Sequence, residues 1–579
     1  MRKILKCLTA MLLTVIMILP TATAFGVRYG DVTAVPGGFW ALLEAYTSAI
    51  GAGDSERITA AGRNLINFWL DGRDAQQMAD YWGANVVANG FIINNIWSVS
   101  NLAARHYGYL DNREGMVWAY TMAYTFLDAY QELIPHIGGN PADMEFARTR
   151  VRNRLASLDT SIAIFAEMQD GSGRTVNFNG LHEPSHGIFF GEQPGNATIV
   201  GSARPSAVTI YVEFEIEDMR SRVLHDLGLN ERMHGLNRED YSVIQIAWNF
   251  LYEGETPRTV PQQEQRVREA ARFLNELGLP ILLRVGAEMD VWSVPADPEE
   301  FIEAFRFISR IMRQEAPNVA MVYSVNFISA FGLDWQMFFP GDDYVDWVGI
   351  SLYTTRYFMG NPHTDDATAA LRRTGDHANP LAFIRQLVDE FGDRFPLLIS
   401  EGGVSLYNVA NSQDLTDWAL PVMRHIYSYI PLLFPEVKAI FWFNTHIPAE
   451  NQAFHFGASP QARQLYTQLV SRPPFLSSGQ AYSPVTFARL GDEPVSMPAN
   501  AVILHTFVPY LNLDYVFVQY RLNGNWLGHS YNAPHRHNFD LSHLAEGDHQ
   551  LVVYAMNSGR TLHAAQLTLT RDGDYITIR

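Results

Sequence analysis

Between His186 and about Arg472, short apolar runs alternate with amphipathic stretches, and this alternation restricts the fold more than any other feature of the chain. Eight runs have strand character: Gly187–Gly191, Val208–Ile216, Ser242–Trp248, Ile281–Ala287, Val319–Val325, Trp347–Leu352, Pro396–Ser400 and Lys438–Phe443. Helix-like stretches such as Glu264–Leu277, Pro298–Gln314, Leu381–Phe391 and Leu415–Tyr429 lie between them. Strands that alternate with helices build a parallel sheet covered by helices. Eight such units predict a (β/α)8 TIM barrel over residues 183–472, a fold that places its reactive groups at the C-terminal ends of the strands.

Two of these runs end by delivering a glutamate. Arg284-Val285-Gly286-Ala287-Glu288-Met289 closes the fourth strand, and Leu398-Ile399-Ser400-Glu401-Gly402-Gly403 closes the seventh. A retaining glycosidase needs two such carboxyl groups. One protonates the departing glycosidic oxygen while the other attacks the anomeric carbon, at a mutual separation of about 5–5.5 Å. Residues two apart share a face of a strand, so Leu282, Arg284, Gly286 and Glu288 form one inward set and Leu397, Ile399 and Glu401 another. On the second strand Tyr211, Glu213, Glu215 and Glu217 share a face. Carboxylates turned into a barrel need partners, and Arg284 is the expected partner of Glu213 or Glu215; a solvated edge is the alternative.

The flanks read differently. Residues 27–180 carry helical periodicity in Glu56–Leu70, Asp74–His106, Gly115–Leu133 and Asp143–Met168, which predicts an α-helical domain with aromatics such as Trp118 and Tyr120 in its core. Beyond Pro473-Pro474, the runs Ala501–Phe507, Tyr515–Leu522, His537–Leu541, His549–Ala555 and Ala564–Thr570 predict a β-sandwich over 478–579. The phrase from Ala545 to Val553 looks like the penultimate hairpin of immunoglobulin-like modules. Such an Ig-like module would either bind glycan or brace the barrel. His529, His535 and His537 lack the tight spacing with carboxylates of a metal site, so no metal is expected.

Arg2, Lys3 and Lys6, the apolar run from Leu8 to Leu19 and Ala22-Thr23-Ala24 predict a signal peptide over residues 1–24, hence a secreted protein without a membrane anchor after cleavage. The apolar run is shorter than the roughly 20 residues that span a bilayer. The single cysteine, Cys7, would leave with it, so large cores must supply stability, and 47% of residues are hydrophobic. A net charge of −19 argues against nucleic-acid and anionic-membrane partners. A neutral polymer is not repelled.

The segment from Arg284 through Trp292, the run from Phe339 to Ile350 containing Pro340-Gly341-Asp342-Asp343-Tyr344-Val345-Asp346-Trp347, then Tyr353 and Glu401, resemble glycoside hydrolase family 26. That family consists of retaining clan A barrels, mostly β-mannanases, with some enzymes on β-1,3-xylan and mixed-linkage β-glucan. The resemblance covers about half the chain. It implies that Glu288 is the acid/base, Glu401 the nucleophile, Tyr353 a hydrogen-bond partner of the nucleophile and Trp442 the floor of the sugar site. An aromatic ring suits the C–H face of a pyranose, and Trp292 and Trp248 are further candidates for stacking. Arg284, Asn326, Asn249 and Asn444 sit where they would bind sugar hydroxyls or carboxylates. Two positions depart from the family: Ala287 precedes the acid/base where a histidine is common, and Asn249 follows Trp248 where Trp-His is usual.

The expected protein is therefore a three-part secreted chain whose barrel hydrolyses a β-linked polysaccharide with no cofactor. The alternatives are a glycan-binding protein that has lost turnover, and a surface protein whose helical domain contacts a cell wall or another protein.

Overall fold

The computed structural model describes residues 37–52, 55–71, 113–131, 162–193, 204–250, 257–289, 297–327, 335–357, 380–447, 451–479, 484–509, 516–557 and 560–579, with single positions between 100 and 151. The chain divides into two compact units, one dominated by residues 1–159 and the other by residues 160–579. The expected signal peptide, and most of the expected helices Asp74–His106 and Asp143–Met168, lie outside the described residues. Among the described residues no helix is long and apolar enough to cross a membrane.

In the first unit the helices Gly37–Ala52, Ser55–Asp71 and Arg113–Gln131 are described. Their apolar residues recur at three- and four-residue intervals, as in Phe39, Leu43, Tyr46 and Ile50 or Met116, Ala119, Tyr120, Ala123 and Leu127, all buried. Gly62 is required for close packing, because a Cβ there would lie 2.4 Å from Cη2 of Trp118.

The second unit contains a closed parallel sheet. Its strands are β1 (Ile188–Glu192), β2 (Ala207–Glu213), β3 (Val243–Asn249), β4 (Ile281–Val285), β5 (Val319–Asn326), β6 (Trp347–Thr354), β7 (Leu397–Val404) and β8 (Val437–Trp442). Each pairs with the next, and β8 pairs with β1 to close the barrel. Phe189, Ala207, Val243, Leu282, Ala320, Val322, Trp347, Leu398, Ala439 and Phe441 fill the interior. Every second residue onward from these points inward.

The covering helices are α1 (Ile216–His234), α2 (Glu264–Leu277), α3 (Pro298–Glu315), α4 (Pro380–Phe391), α5 (Thr416–Leu433) and α6 (Pro460–Val470). Local chemistry sets their limits. Asp297 caps α3 by accepting from the N–H groups of Glu299 and Glu300, with Pro298 in the first turn. Phe301, Ala304, Phe305, Ile308 and Met312 form its buried stripe. Gly235 and Gly278 end α1 and α2 in the left-handed conformation, at φ 61° and 64°.

Two antiparallel sheets share the remaining core. One orders the strands Thr486–Arg489, Ala163–Met168, Val502–Phe507 and His537–Phe539. The other orders Val495–Pro498, Tyr575–Ile578, Arg560–Asp572, Gly547–Asn557, Val516–Leu522 and Asn525–Ser530. Ile164, Leu504, Tyr520, Val553 and Leu569 are among the residues buried between them. Here the structure corrects two expectations. Residues 163–168 are not the end of a helix, and the helical domain does not extend to residue 180. Ala163–Met168 is a strand paired with both Thr486–Arg489 and Val502–Phe507, because only that distant pairing satisfies its backbone and buries Ile164 and Met168. The sandwich touches the barrel at α5, where the hydroxyl of Tyr429 donates to the carbonyl of Thr506 and accepts from the N–H of Val508, each at 3.2 Å.

Candidate active site

The C-terminal ends of β4, β5, β6 and β7 bring Arg284, Glu288, Asn326, Ser351, Tyr353 and Glu401 together. Arg284 is the centre. Its side chain is 2% exposed, and a buried charge is tolerated only with partners. Nη1 pairs with Oε2 of Glu401, Nη2 lies 3.7 Å from Oε1 of Glu288, and Nη2 also donates to Oγ of Ser351 at 2.5 Å. Nε donates to Oγ of Ser324 at 3.0 Å, and Ser324 in turn meets Oγ of Ser400 at 2.7 Å. Gln245 donates to Oγ1 of Thr209 and to the carbonyl of Ser400, each at 2.7 Å, and so links β2, β3 and β7 beneath the cluster.

Glu401 reaches the interior through a bulge. Ile350 pairs with Ile399, but Ser351 pairs with Glu401, so one residue of β7 is skipped. Inward parity on β7 therefore runs through Leu398 and Ser400, not through Leu397 and Ile399 as expected, and the extra residue adds Glu401 to the same side. Besides Arg284, the hydroxyl of Tyr353 donates to Oε1 of Glu401. Burial and then the charge of Glu401 raise the pKa of Tyr353 well above the usual tyrosine value, so it remains a donor. Burial opposes the charge on Arg284, but Glu401 and Glu288 outweigh it and push its pKa up.

Glu288 stands beyond the end of β4 with φ 59°, a left-handed backbone rarely adopted by a residue with a side chain. Gly286 has φ 53°, and a Cβ there would lie 2.5 Å from the Phe250 ring. These two unusual conformations turn the chain so that the Glu288 carboxyl returns to the cluster. Asn326 donates to its Oε1 at 3.2 Å. Burial first, then the charge of Glu401, raise its pKa to about 7 against the opposing effects of Arg284, Ser351 and Asn326. Such a conformation costs on the order of 1–3 kcal/mol and persists only where the surrounding structure holds it. Glu288 and Glu401 keep about a tenth of their side-chain surface open to solvent, at 12% and 11%.

The other expected site residues fall elsewhere or add less. Arg284 does not pair with Glu213 or Glu215; β2 ends at Glu213, Glu217 lies in α1, and Glu215 pairs with Arg266 at 2.9 Å. Trp442 is not the floor of this cluster. It alternates with the inward Phe441, so its ring faces the helices, stacks on Phe456 with centroids 4.7 Å apart and donates from Nε1 to the carbonyl of Phe454. Trp248 likewise faces outward and stacks on Phe214 at 4.9 Å. Asn444 is buried, with Nδ2 3.4 Å from Glu192 and Oδ1 accepting from the Phe456 N–H, a structural role outside the cluster. Asn249 has the inward parity of Gln245 and ends β3 in register with Glu213. Trp292 lies outside the described residues.

Ser324, Ser351, Ser400 and Gln245 were missed from the sequence, although Ser324 and Ser351 stand two residues before Asn326 and Tyr353. The period-two rule would have found both. The aromatic wall is likewise formed of Tyr211, Tyr353 and Phe443, with Tyr211 and Tyr353 each edge-on to Phe443 at 5.8 and 5.7 Å.

The model of glycosyl hydrolase family 26 matches residues 251–415. Among solved structures, a GH26 β-mannanase from Bacteroides ovatus is 14% identical over 52% of this chain and 92% of that chain, with a TM-score of 0.36. GH26C from Muricauda sp. is 15% identical over 58% of this chain and 92% of that chain, at 0.34. A Bacteroides uniformis β-glucuronidase is 13% identical over 63% of this chain and 41% of that chain, at 0.32. No curated protein matches the chain. Arg284, Glu288, Asn326, Tyr353 and Glu401 all lie within residues 251–415, the segment of the barrel that is similar to glycosyl hydrolase family 26.

Proposed function

We propose that the barrel is a retaining endo-β-glycanase, a glycoside hydrolase that works by double displacement, and that the chain is secreted through its N-terminal segment. The observation that carries this reading is the pair of carboxyl groups held on one guanidinium in unlike surroundings. Glu288, with a pKa of about 7, keeps its proton below neutral pH and suits a general acid. Glu401, addressed by Arg284 and Tyr353, is oriented as the nucleophile. In the first step Glu401 forms a bond to the anomeric carbon while Glu288 gives its proton to the departing oxygen. In the second, Glu288 takes a proton from water, which displaces Glu401 and restores the original configuration.

β-Mannan is the first choice of substrate, ahead of β-1,3-xylan and mixed-linkage β-glucan, because the motifs resemble a family composed mostly of β-mannanases. The inward Asn249 and the position of Ala287, where histidines are common in the family, favour a second reading: a glycan-binding barrel without turnover. Release of reducing ends from soluble mannans, xylans and β-glucans by the wild type and by Glu401→Gln separates the two. Hydrolysis of one polymer that falls at least about a thousandfold in the variant supports the enzyme. Folded wild-type protein that binds a polymer and cleaves none of them replaces it with the binding reading.

A further inference from the structure

We propose that the outer face of the six-stranded sheet in the C-terminal sandwich binds a neutral β-linked glycan chain, laid along a row of aromatic rings formed by Trp526, His529, Tyr531 and Phe517. This site is separate from the carboxylates of the barrel, and it stands whether or not the barrel turns over.

The row follows from strand parity. On Val516–Leu522 the residues Val518, Tyr520 and Leu522 enter the shared core, so Phe517, Gln519 and Arg521 take the opposite face. Asn525–Ser530 is the edge strand, and its register sets His529 opposite Gln519 and Trp526 opposite Arg521. The rings touch in sequence: centroids are 5.8 Å apart from Trp526 to His529, 4.9 Å from His529 to Tyr531, and 5.6 Å from Tyr531 to Phe517. Trp526 is 59% exposed and Tyr531 64%. Single exposed aromatics are ordinary; four rings in an unbroken row on one face are not. An edge strand is usually blunted by charge, yet this one presents rings.

The chemistry of the face selects the occupant. Flat rings offer apolar faces to pyranose C–H groups while their polar edges stay wet, and Trp and Tyr lose little side-chain entropy when they are covered. Between the rings lie hydrogen-bonding groups for hydroxyls, the Gln519 amide and the Arg521 guanidinium, which donates to Oε1 of Gln519 at 3.1 Å. In a chain of net charge −19, Arg521 is the one permanently charged side chain among these six. A ring row with a single charge beside it complements an uncharged, hydroxyl-rich polymer and offers little to an acidic or basic peptide.

The test is affinity electrophoresis of the full chain carrying Glu401→Gln, which prevents digestion of the matrix, in gels containing β-mannan, xylan or mixed-linkage β-glucan. It is repeated with Trp526→Ala and Tyr531→Ala added, and thermal melting checks that each chain is folded. If Glu401→Gln does not fold, the same aromatic substitutions are compared in the wild-type chain at low temperature. Retention by at least one polymer, weakened roughly tenfold or more by either aromatic substitution, supports the site. Retention unaltered by both substitutions overturns it, as does the absence of retention in all three gels. Retardation in glycan-free gels that Trp526→Ala abolishes would instead assign the face to a second copy of the chain. Hydrolysis of short soluble substrates by wild-type protein reports on the barrel alone, so failure there leaves this test intact.

Discussion

The mouth of the barrel and the outer face of the six-stranded sheet are built on opposite principles. At the mouth, charges are buried: Arg284 holds two glutamates, Glu288 adopts a strained backbone, and burial pushes its proton affinity up. On the sheet, Trp526 and Tyr531 stand exposed beside His529, with no charge buried among them. Chemistry on a substrate needs electrostatics made strong by exclusion of water. Holding a polymer needs only surface of the right shape and polarity, so it can be placed where it costs the fold little.

The contrast predicts that the same kind of substitution costs stability in one region and not in the other. Arg284→Met leaves Glu401 and Glu288 buried without their counter-charge. It should lower unfolding stability by about 3–5 kcal/mol in denaturant titrations as well as abolish turnover. A loss below about 1 kcal/mol would mean that water enters the cluster freely.

Glu288 sets a smaller, pH-dependent effect. Its folded pKa of about 7 lies above its ordinary 4.5, so its contribution to stability is fully present below about pH 4.5 and is lost as pH rises through about 7. Glu288→Gln cannot ionise. Its melting temperature should therefore gain on that of the wild type between pH 5 and pH 8, by the equivalent of about 2 kcal/mol. The wild-type rate should fall over the same interval as the acid loses its proton. A melting difference independent of pH would show that Glu288 is ionised throughout.

The smallest effect belongs to the sheet. Trp526→Ala should change unfolding stability by no more than about 0.5 kcal/mol, because its ring is largely in water already. A larger loss would make the ring part of the sandwich rather than a platform upon it.

Much of the barrel was legible because its signals are local. Among the described residues six of the eight strands are followed by an α-helix, and Asp297-Pro298 announces the start of α3 within two residues. The aromatic side chains were read less well. Trp442 and Trp248 stand at strand ends, as stacking residues would, but one residue of parity turns them to the helices. Their neighbours give no local sign of which parity is inward, since both faces of a barrel strand are apolar.

The sequence alone determined the alternation that builds the barrel and the delivery of one glutamate to each of two strand ends, because periodicity and capping act over a few residues. Only the tertiary structure decided that a bulge in β7 would bring Glu401 onto Arg284, that Ala163–Met168 would join strands more than three hundred residues away, and that Phe517 would complete the ring row with Tyr531. Those outcomes depend on pairing between distant segments, where burial of apolar surface and satisfaction of backbone polar groups are settled across the whole fold.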